Sequence, residues 1–326
     1  MSRLETALTK LLDIEHPVLL APMGGNSGGA MASAVTEAGG LGIIGGGYGD
    51  RAQLAAEIDR AGNTRVGIGF ITWAIEDKPE IVSVALERKP AALFLSFGDH
   101  KPYVEAIKRA GVLLICQVQS LSQAIDAIES GADVIVAQGQ EAGGHGATVR
   151  GTISLVPAIA DRAGDIPVVA AGGIADGRGL AAALMLGASG ILMGTRFCAA
   201  EEALWHPDMK AGVVAASGDS TIRTSVFDLL RGPEWPAPFD GRAIRNDAAS
   251  RWHGNEAALR ADLDAERAAY AEADKRGDLG TKVVWAGEGV DLIHDVQPAG
   301  DIVRQTVDEA IAMLTDKKTY ELSGAT

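Results

Sequence analysis

Residues 167–197 read PVVAAGGIADGRGLAAALMLGASGILMGTRF. An apolar run, PVVAAGG (167–173), passes into a helical pattern, DGRGLAAALMLGA, and then into a second apolar run, GILMGTRF (190–197). Runs without polar alternation are expected of strands buried on both faces, as in a parallel sheet covered by helices. Six more such runs precede this unit: VLLAPM (18–23), LGIIGGG (41–47), RVGIGFI (65–71), ALFLSFG (92–98), VLLICQV (112–118) and DVIVAQG (133–139). Most start 20–27 residues apart, and the gap from the sixth to the seventh is longer. The segments between them look helical. GAMASAVTEAGG (29–40) ends on glycine, and DRAQLAAEIDRAG (50–62) opens on an aspartate cap and also ends on glycine. Eight β/α units of this size predict a (β/α)8 TIM barrel; a doubly wound open sheet usually carries five or six strands.

Beyond residue 200 the pattern changes. RGPEWPAP (231–238) holds three prolines and breaks any regular element. NEAALRADLDAERAAYAEADKRG (255–277) predicts one long Ala-rich helix, capped by Asn255 and ended by Gly277. VVWAGEGVDLI then leads into AGDIVRQTVDEAIAMLTD, another helical pattern. The expected organisation is a barrel over 1–210 and 281–326, with a small helical insertion domain over 211–280.

Bulk composition narrows the function classes. Apolar residues make up 47 %, enough for a large core, and the formal charge is −14. A nucleic-acid binder needs a basic footprint, and none is visible, so no nucleic-acid partner is expected. Two cysteines, Cys116 and Cys198, cannot build a secreted disulfide framework. The opening residues hold no apolar core of signal-peptide length, and no apolar stretch is long enough to span a bilayer. A cytoplasmic protein without membrane attachment is the expectation.

In such a barrel the site lies at the C-terminal ends of the strands. Gly172 and Gly173 follow the seventh strand and precede a helix, where free N–H groups can hold phosphate. Gly194 and Thr195 offer amide and hydroxyl donors from the eighth. After the sixth comes QGQEAGGHG (138–146), with Glu141 and His145 among four glycines. Imidazole is the side chain best tuned to neutral pH, which makes His145 the catalytic candidate; Glu141 reads as a solvated loop charge. The other five histidines show no metal-ligand spacing, so no metal is expected. GGNSG (24–28) lacks the nucleophile-elbow context, and GIIGGGYGD lacks dinucleotide-fingerprint spacing.

These motifs, in order, resemble the nitronate monooxygenases, formerly called 2-nitropropane dioxygenases. The resemblance is carried by APM at the first strand, AGGLGIIGGG at the second, QGQEAGGHG, VVAAGGI, MGTRF and the terminal WAGEGVDLI. It implies a barrel that holds FMN non-covalently. Its flavin contacts would fall on Met23, Gln138, Gly143, Gly172, Gly173, Leu192, Met193, Gly194 and Thr195, with Gln117 beside the isoalloxazine. Gly173, Gly194 and Thr195 would hold the phosphate, and His145 would lie at the substrate site. The implied activity is oxidation of alkyl nitronates or nitroalkanes by O2 to carbonyl compounds and nitrite. NAD(P)H-dependent reduction of quinones or enoyl thioesters on the same barrel is the alternative, and a flavin-binding protein without turnover is a third reading. A homodimer is an open option. The chain departs from the family at Gly69, where many members have Asn, and at Glu288, where the family segment has Gln. On this reading the glycines of QGQEAGGHG clear space for a flat ring, leaving Gln138 and His145 to present polar groups.

Overall fold

The computed structural model of the protein describes residues 3–147 and 150–316. Its strands, in chain order, are β1 (Val18–Leu20), β2 (Ile43–Gly47), β3 (Gly67–Ile71), β4 (Ala92–Ser96), β5 (Leu113–Val118), β6 (Val134–Gln138), β7 (Gly144–Ala147), β8 (Val168–Ala171), β9 (Gly190–Met193), β10 (Thr221–Thr224) and β11 (Phe239–Ile244). Eight of them form one parallel sheet in the order β1-β9-β8-β6-β5-β4-β3-β2. Its two ends meet through a parallel bridge between Leu19 and Leu41. Leu20 N donates to Leu41 O and Leu41 N to Val18 O, both at 3.0 Å. The fold is therefore a (β/α)8 barrel, and every one of the eight expected strands forms. The last is shorter than expected, because the chain turns at Gly194 into the helix Thr195–Cys198.

Strand parity decides what faces the barrel interior. Along β6, Val134 and Val136 point inward and Ile135 and Ala137 pack against the helices. Along β5, Ile115 points inward and Leu114 and Cys116 outward. The same two-residue period turns Gln117 and Gln138, the next inward positions, into the barrel's upper mouth. The lower end is closed by the helix Ala7–Leu12, whose Leu8 and Leu12 are fully buried within the interior cluster. Thr6 and Thr9 close a reciprocal capping box on that helix.

The segment after β9 is not purely helical, as its Ala-rich stretch suggested. It supplies β10 and β11, and these pair antiparallel with β7 in the order β10-β11-β7. Its own core gathers Ile222, Phe227, Leu230, Ala243, Leu259 and Tyr270. The expected helix over 255–277 is two helices, Glu256–Ala261 and Leu263–Lys275, broken at Asp262 (φ −126°, ψ 31°). Asn255 makes no side-chain cap, whereas Gly277, at φ +70°, stops the second helix. The chain then returns to the barrel through the helix Ala299–Thr315, which packs on the helix Gly177–Met185. Residues 317–326 of the expected barrel return lie outside the described residues. Among the described residues, no helix is long and apolar enough to cross a membrane.

The plug at the barrel floor carries a stability prediction. Leu8→Ala removes a fully buried side chain from the interior cluster and should cost about 2–5 kcal/mol. A thermal-denaturation midpoint equal to that of the unaltered protein would show that the plug contributes nothing.

Candidate active site

A single cavity opens at the C-terminal ends of the barrel strands. Its wall includes Met23, Gln117, Gln138, Gly143, His145, Gly172, Gly173, Leu192, Gly194 and Thr195. Ten of the eleven residues singled out from sequence are thus brought together. The exception is Met193, whose side chain has the opposite parity on β9. It is buried between the sheet and the helices and does not reach the cavity.

His145 does not sit in a loop. It is the second residue of β7, paired with Gly241 of β11. Its Nε2 lies 2.8 Å from Oδ1 of Asp228, in the helix Val226–Arg231. A carboxylate can only accept, so Nε2 carries the proton and Nδ1 presents a lone pair. Nδ1 makes no hydrogen bond among the described residues. The ring is stacked on Trp235 at 3.5 Å with a 4° interplanar angle, and Trp285 approaches it at 4.9 Å. The flat neighbour of this imidazole within the protein is therefore an indole. Burial pushes the His145 pKa below its ordinary 6.5, and the bond to Asp228 opposes that shift.

Behind His145 three amides interlock. Gln138 Nε2 donates to the carbonyl of His145 at 3.0 Å. Gln138 Oε1 accepts from Gln117 Nε2 at 3.2 Å and from Gln119 Nε2 at 2.8 Å. Gln117 keeps its own Oε1 unbonded at the cavity wall. The network fixes the Gln138 rotamer and ties β5 to β7.

Two of the four glycines of QGQEAGGHG have a cause within the chain itself, while a Cβ on Gly144 would meet nothing within 4 Å. A Cβ on Gly139 would lie 2.1 Å from Thr152 Oγ1, and one on Gly143 would lie 2.4 Å from Gly287 N. They let the loop close against the chain itself. Glu141 is not a solvated charge. It accepts from Thr152 N at 2.9 and 3.0 Å and from Thr152 Oγ1 at 3.0 Å, capping the helix Thr152–Ala163.

At the expected phosphate site the glycines and the helix start differ in what they offer. The helix start after β8 is already capped: Arg178 N and Gly179 N donate to Asp176 Oδ1, and Gly177 N donates to Glu309 Oε2. An anion gains little there. Gly172 and Gly173 lie before it at φ +103° and +72°, conformations that favour glycine. The amides of Gly173 and Thr195 have no backbone partner among the described residues. Thr195 Oγ1 accepts from Gly287 N at 3.0 Å, which leaves the hydroxyl proton to donate. A flavin's parts fit this donor set: unpaired N–H groups on a glycine cradle for a phosphate, and open amides for a polar ring edge. Among the described residues no cluster of His, Cys, Asp or Glu could hold a metal ion.

Sequence reasoning missed Asp228, Gln119, Tyr48, Arg231 and Trp235. Asp228 is 3 % exposed, flanked by buried Val226, Phe227, Leu229 and Leu230. An acid inside an apolar run, VFDLL, was its only signal. Trp235 lies in the proline-rich break and bonds Tyr48 Oη through Nε1 at 2.9 Å. The family departures have local reasons. A Cβ on Gly69 would lie 2.4 Å from Pro22 Cβ, and Glu288 pairs with Arg242 at 2.8 Å.

Comparison with known proteins places this architecture. The family model for nitronate monooxygenase matches residues 5–66 and 62–309. The chain is 37 % identical to the nitronate monooxygenase npaC of Metarhizium robertsii, over 91 % of this chain and 92 % of that one. It is 34 % identical to a nitronate monooxygenase of Neurospora crassa, over 94 % and 93 % of the two chains. Among solved structures, FabK from Thermotoga maritima superposes with a TM-score of 0.83 at 32 % identity, over 98 % of this chain and all of that one. Nitroalkane oxidase from Streptomyces ansochromogenes gives 0.76 at 28 % identity, over 95 % of this chain and 100 % of its own.

The electrostatics of His145 are open to direct titration. Its native pKa is lowered, so the unfolded chain binds more protons just below pH 6.5, and stability falls as pH drops through 6.5 towards the native value. An NMR titration of the His145 ring should give a midpoint below 6.5, and Asp228→Asn should lower it further. A midpoint above 6.5 would show that the carboxylate outweighs burial.

Proposed function

We propose FMN-dependent oxidation of alkyl nitronates as the reaction of this chain, which belongs to the nitronate monooxygenase family of flavin-dependent oxidoreductases. The observation that carries the reading is one cavity at the strand ends. It joins a glycine cradle of unpaired amides, a pair of glutamine amides and a buried His–Asp pair. Gly173, Gly194 and Thr195 would hold the phosphate, and Gln117 and Gln138 would face the ring's polar edge. FMN, when bound, supplies the electron transfer from substrate to O2 that yields a carbonyl compound and nitrite.

The chain's own residues then orient substrate and handle protons. Asp228 accepts from Nε2–H and so fixes the His145 tautomer. Nδ1, with its lone pair, is the atom left to take the α-proton of a neutral nitroalkane, and once protonated it can donate to an oxygen of the nitronate so formed. Because burial keeps the imidazole neutral at pH 7, the lone pair is available there. Tyr48, Trp235 and Trp285 line the entrance and keep water from the ring of His145.

A second reading, NAD(P)H-dependent reduction of a quinone or enoyl thioester, draws on the likeness to FabK from Thermotoga maritima. Anaerobic mixing separates the two. Propyl-2-nitronate should bleach the visible flavin band, and air should then restore it with release of nitrite. Bleaching by micromolar NADH but not by the nitronate would replace the first reading with the second. His145→Asn should retain the flavin and lower kcat/KM for a nitroalkane by about 10²–10⁴-fold. Unchanged turnover would make the histidine structural.

A further inference from the structure

The cavity wall is unlike the rest of the molecule in charge. The chain has 43 acidic and 29 basic residues, yet the wall contains no Asp or Glu and a single formal charge, Arg231. Asp228 and Glu141 both lie close by but outside the wall, hydrogen-bonded to His145 and Thr152 respectively. Arg231 ends the helix Val226–Arg231 and makes no ion pair among the described residues. Its neighbours Arg223, Arg242, Arg251 and Arg260 each meet a carboxylate. What Arg231 does meet is aromatic: its side chain hydrogen-bonds Tyr48, and its guanidinium carbon lies 5.9 Å from the Trp285 ring.

The wall is also unusual in shape. The chain has five tryptophans, and Trp205, Trp235 and Trp285 line this one cavity, together with Tyr48 and Phe97. These rings are half-buried, so they present flat apolar area at the mouth. Concentrated aromatic surface beside one cation without an ion pair is the lining of a pocket for a flat apolar body with an anionic head. A small alkyl nitronate would satisfy the cation and leave the rings wet.

We propose that the preferred substrates are nitronates carrying an aryl or similarly flat apolar group, with Arg231 attracting the anionic head and Trp235 and its neighbours covering the ring. The inference rests on the nitronate reading of this site and narrows its substrate class.

The test uses the protein as purified, with its flavin, and carboxylates that mimic nitronates without reacting. Calorimetry would compare phenylacetate, isobutyrate and neutral phenylacetamide. Phenylacetate should bind at least about tenfold more tightly than isobutyrate, since added apolar burial and ring stacking are worth about that factor or more. Arg231→Gln should bring phenylacetate down to the affinity of phenylacetamide while flavin content stays the same. Trp235→Leu should shrink the phenylacetate preference. Equal binding of the two acids, or an Arg231→Gln variant that binds phenylacetate unchanged, would overturn the proposal. Loss of flavin from Arg231→Gln would overturn it too, by making the arginine a cofactor ligand. Anaerobic bleaching then separates the two levels of inference. Oxidation of propyl-2-nitronate without aryl preference in binding sinks only this proposal. Aryl-acid selectivity without bleaching by either phenylmethane nitronate or propyl-2-nitronate sinks the nitronate reading and leaves an aryl-anion pocket.

Discussion

The pairing of β7 with β11 is the interaction on which the site depends. Four residues of a barrel loop leave the barrel as a strand and register Gly144 with Arg242, His145 with Gly241 and Ala147 with Phe239. That register sets the segment after β9 over the strand ends, beside the bond of Trp235 to Tyr48. With it, Asp228, Arg231 and Trp235 all converge on His145. The register is itself locked by charge. Arg223 Nη2 donates to Gly146 O at 2.7 Å, and Arg223 Nε donates to Asp240 at 2.8 Å. Arg242 bonds Gln140 O through two nitrogens, each at 3.3 Å. Gly241 has no side chain because Trp285 occupies its place: a Cβ there would lie 2.3 Å from the indole. One glycine thus admits the tryptophan that covers the other side of the histidine.

The barrel and the added segment divide the work. The barrel supplies neutral groups on rigid strands: amides from Gln117 and Gln138, and glycine backbone at Gly172, Gly173 and Gly194. The added segment supplies Asp228, Arg231 and Trp235, and the aromatic surface is completed by Tyr48, Phe97, Trp205 and Trp285 from the rest of the chain. Neither carboxylate near the cavity enters its wall: Asp228 Oδ1 accepts from His145 and Glu141 accepts from Thr152. Burial raises both thiols, Cys116 and Cys198, to about 12, which leaves neither as a nucleophile at neutral pH. His145 is then the titratable group of the wall suited to proton transfer near neutrality.

The barrel was legible because its strands are buried on both faces, and continuous apolar runs such as VIVA (134–137) report that directly. The inward turn of Gln117 and Gln138 follows from the same two-residue period. That period also shows why Met193 was misjudged: it adjoins Leu192 on one strand and so must face the other way. The antiparallel sheet was not legible. GHGA has no β-branched residue, and its strand character comes from a partner almost a hundred residues later. Asp228 and Trp235 were hidden for the same reason, since their roles come from tertiary contact with His145. Helix propensity misled at Asp262, where an Ala-rich run breaks, because packing of Leu259 and Tyr270 on one core outweighs continuity.

The proposed role of the barrel mouth is to hold FMN on backbone amides at Gly173 and Thr195. Its most direct test is to denature the purified protein and identify the flavin released by chromatography against its protein concentration. FMN at one equivalent per chain is the expected result. Release of FAD in its place, or protein that binds no flavin after incubation with FMN, would contradict it.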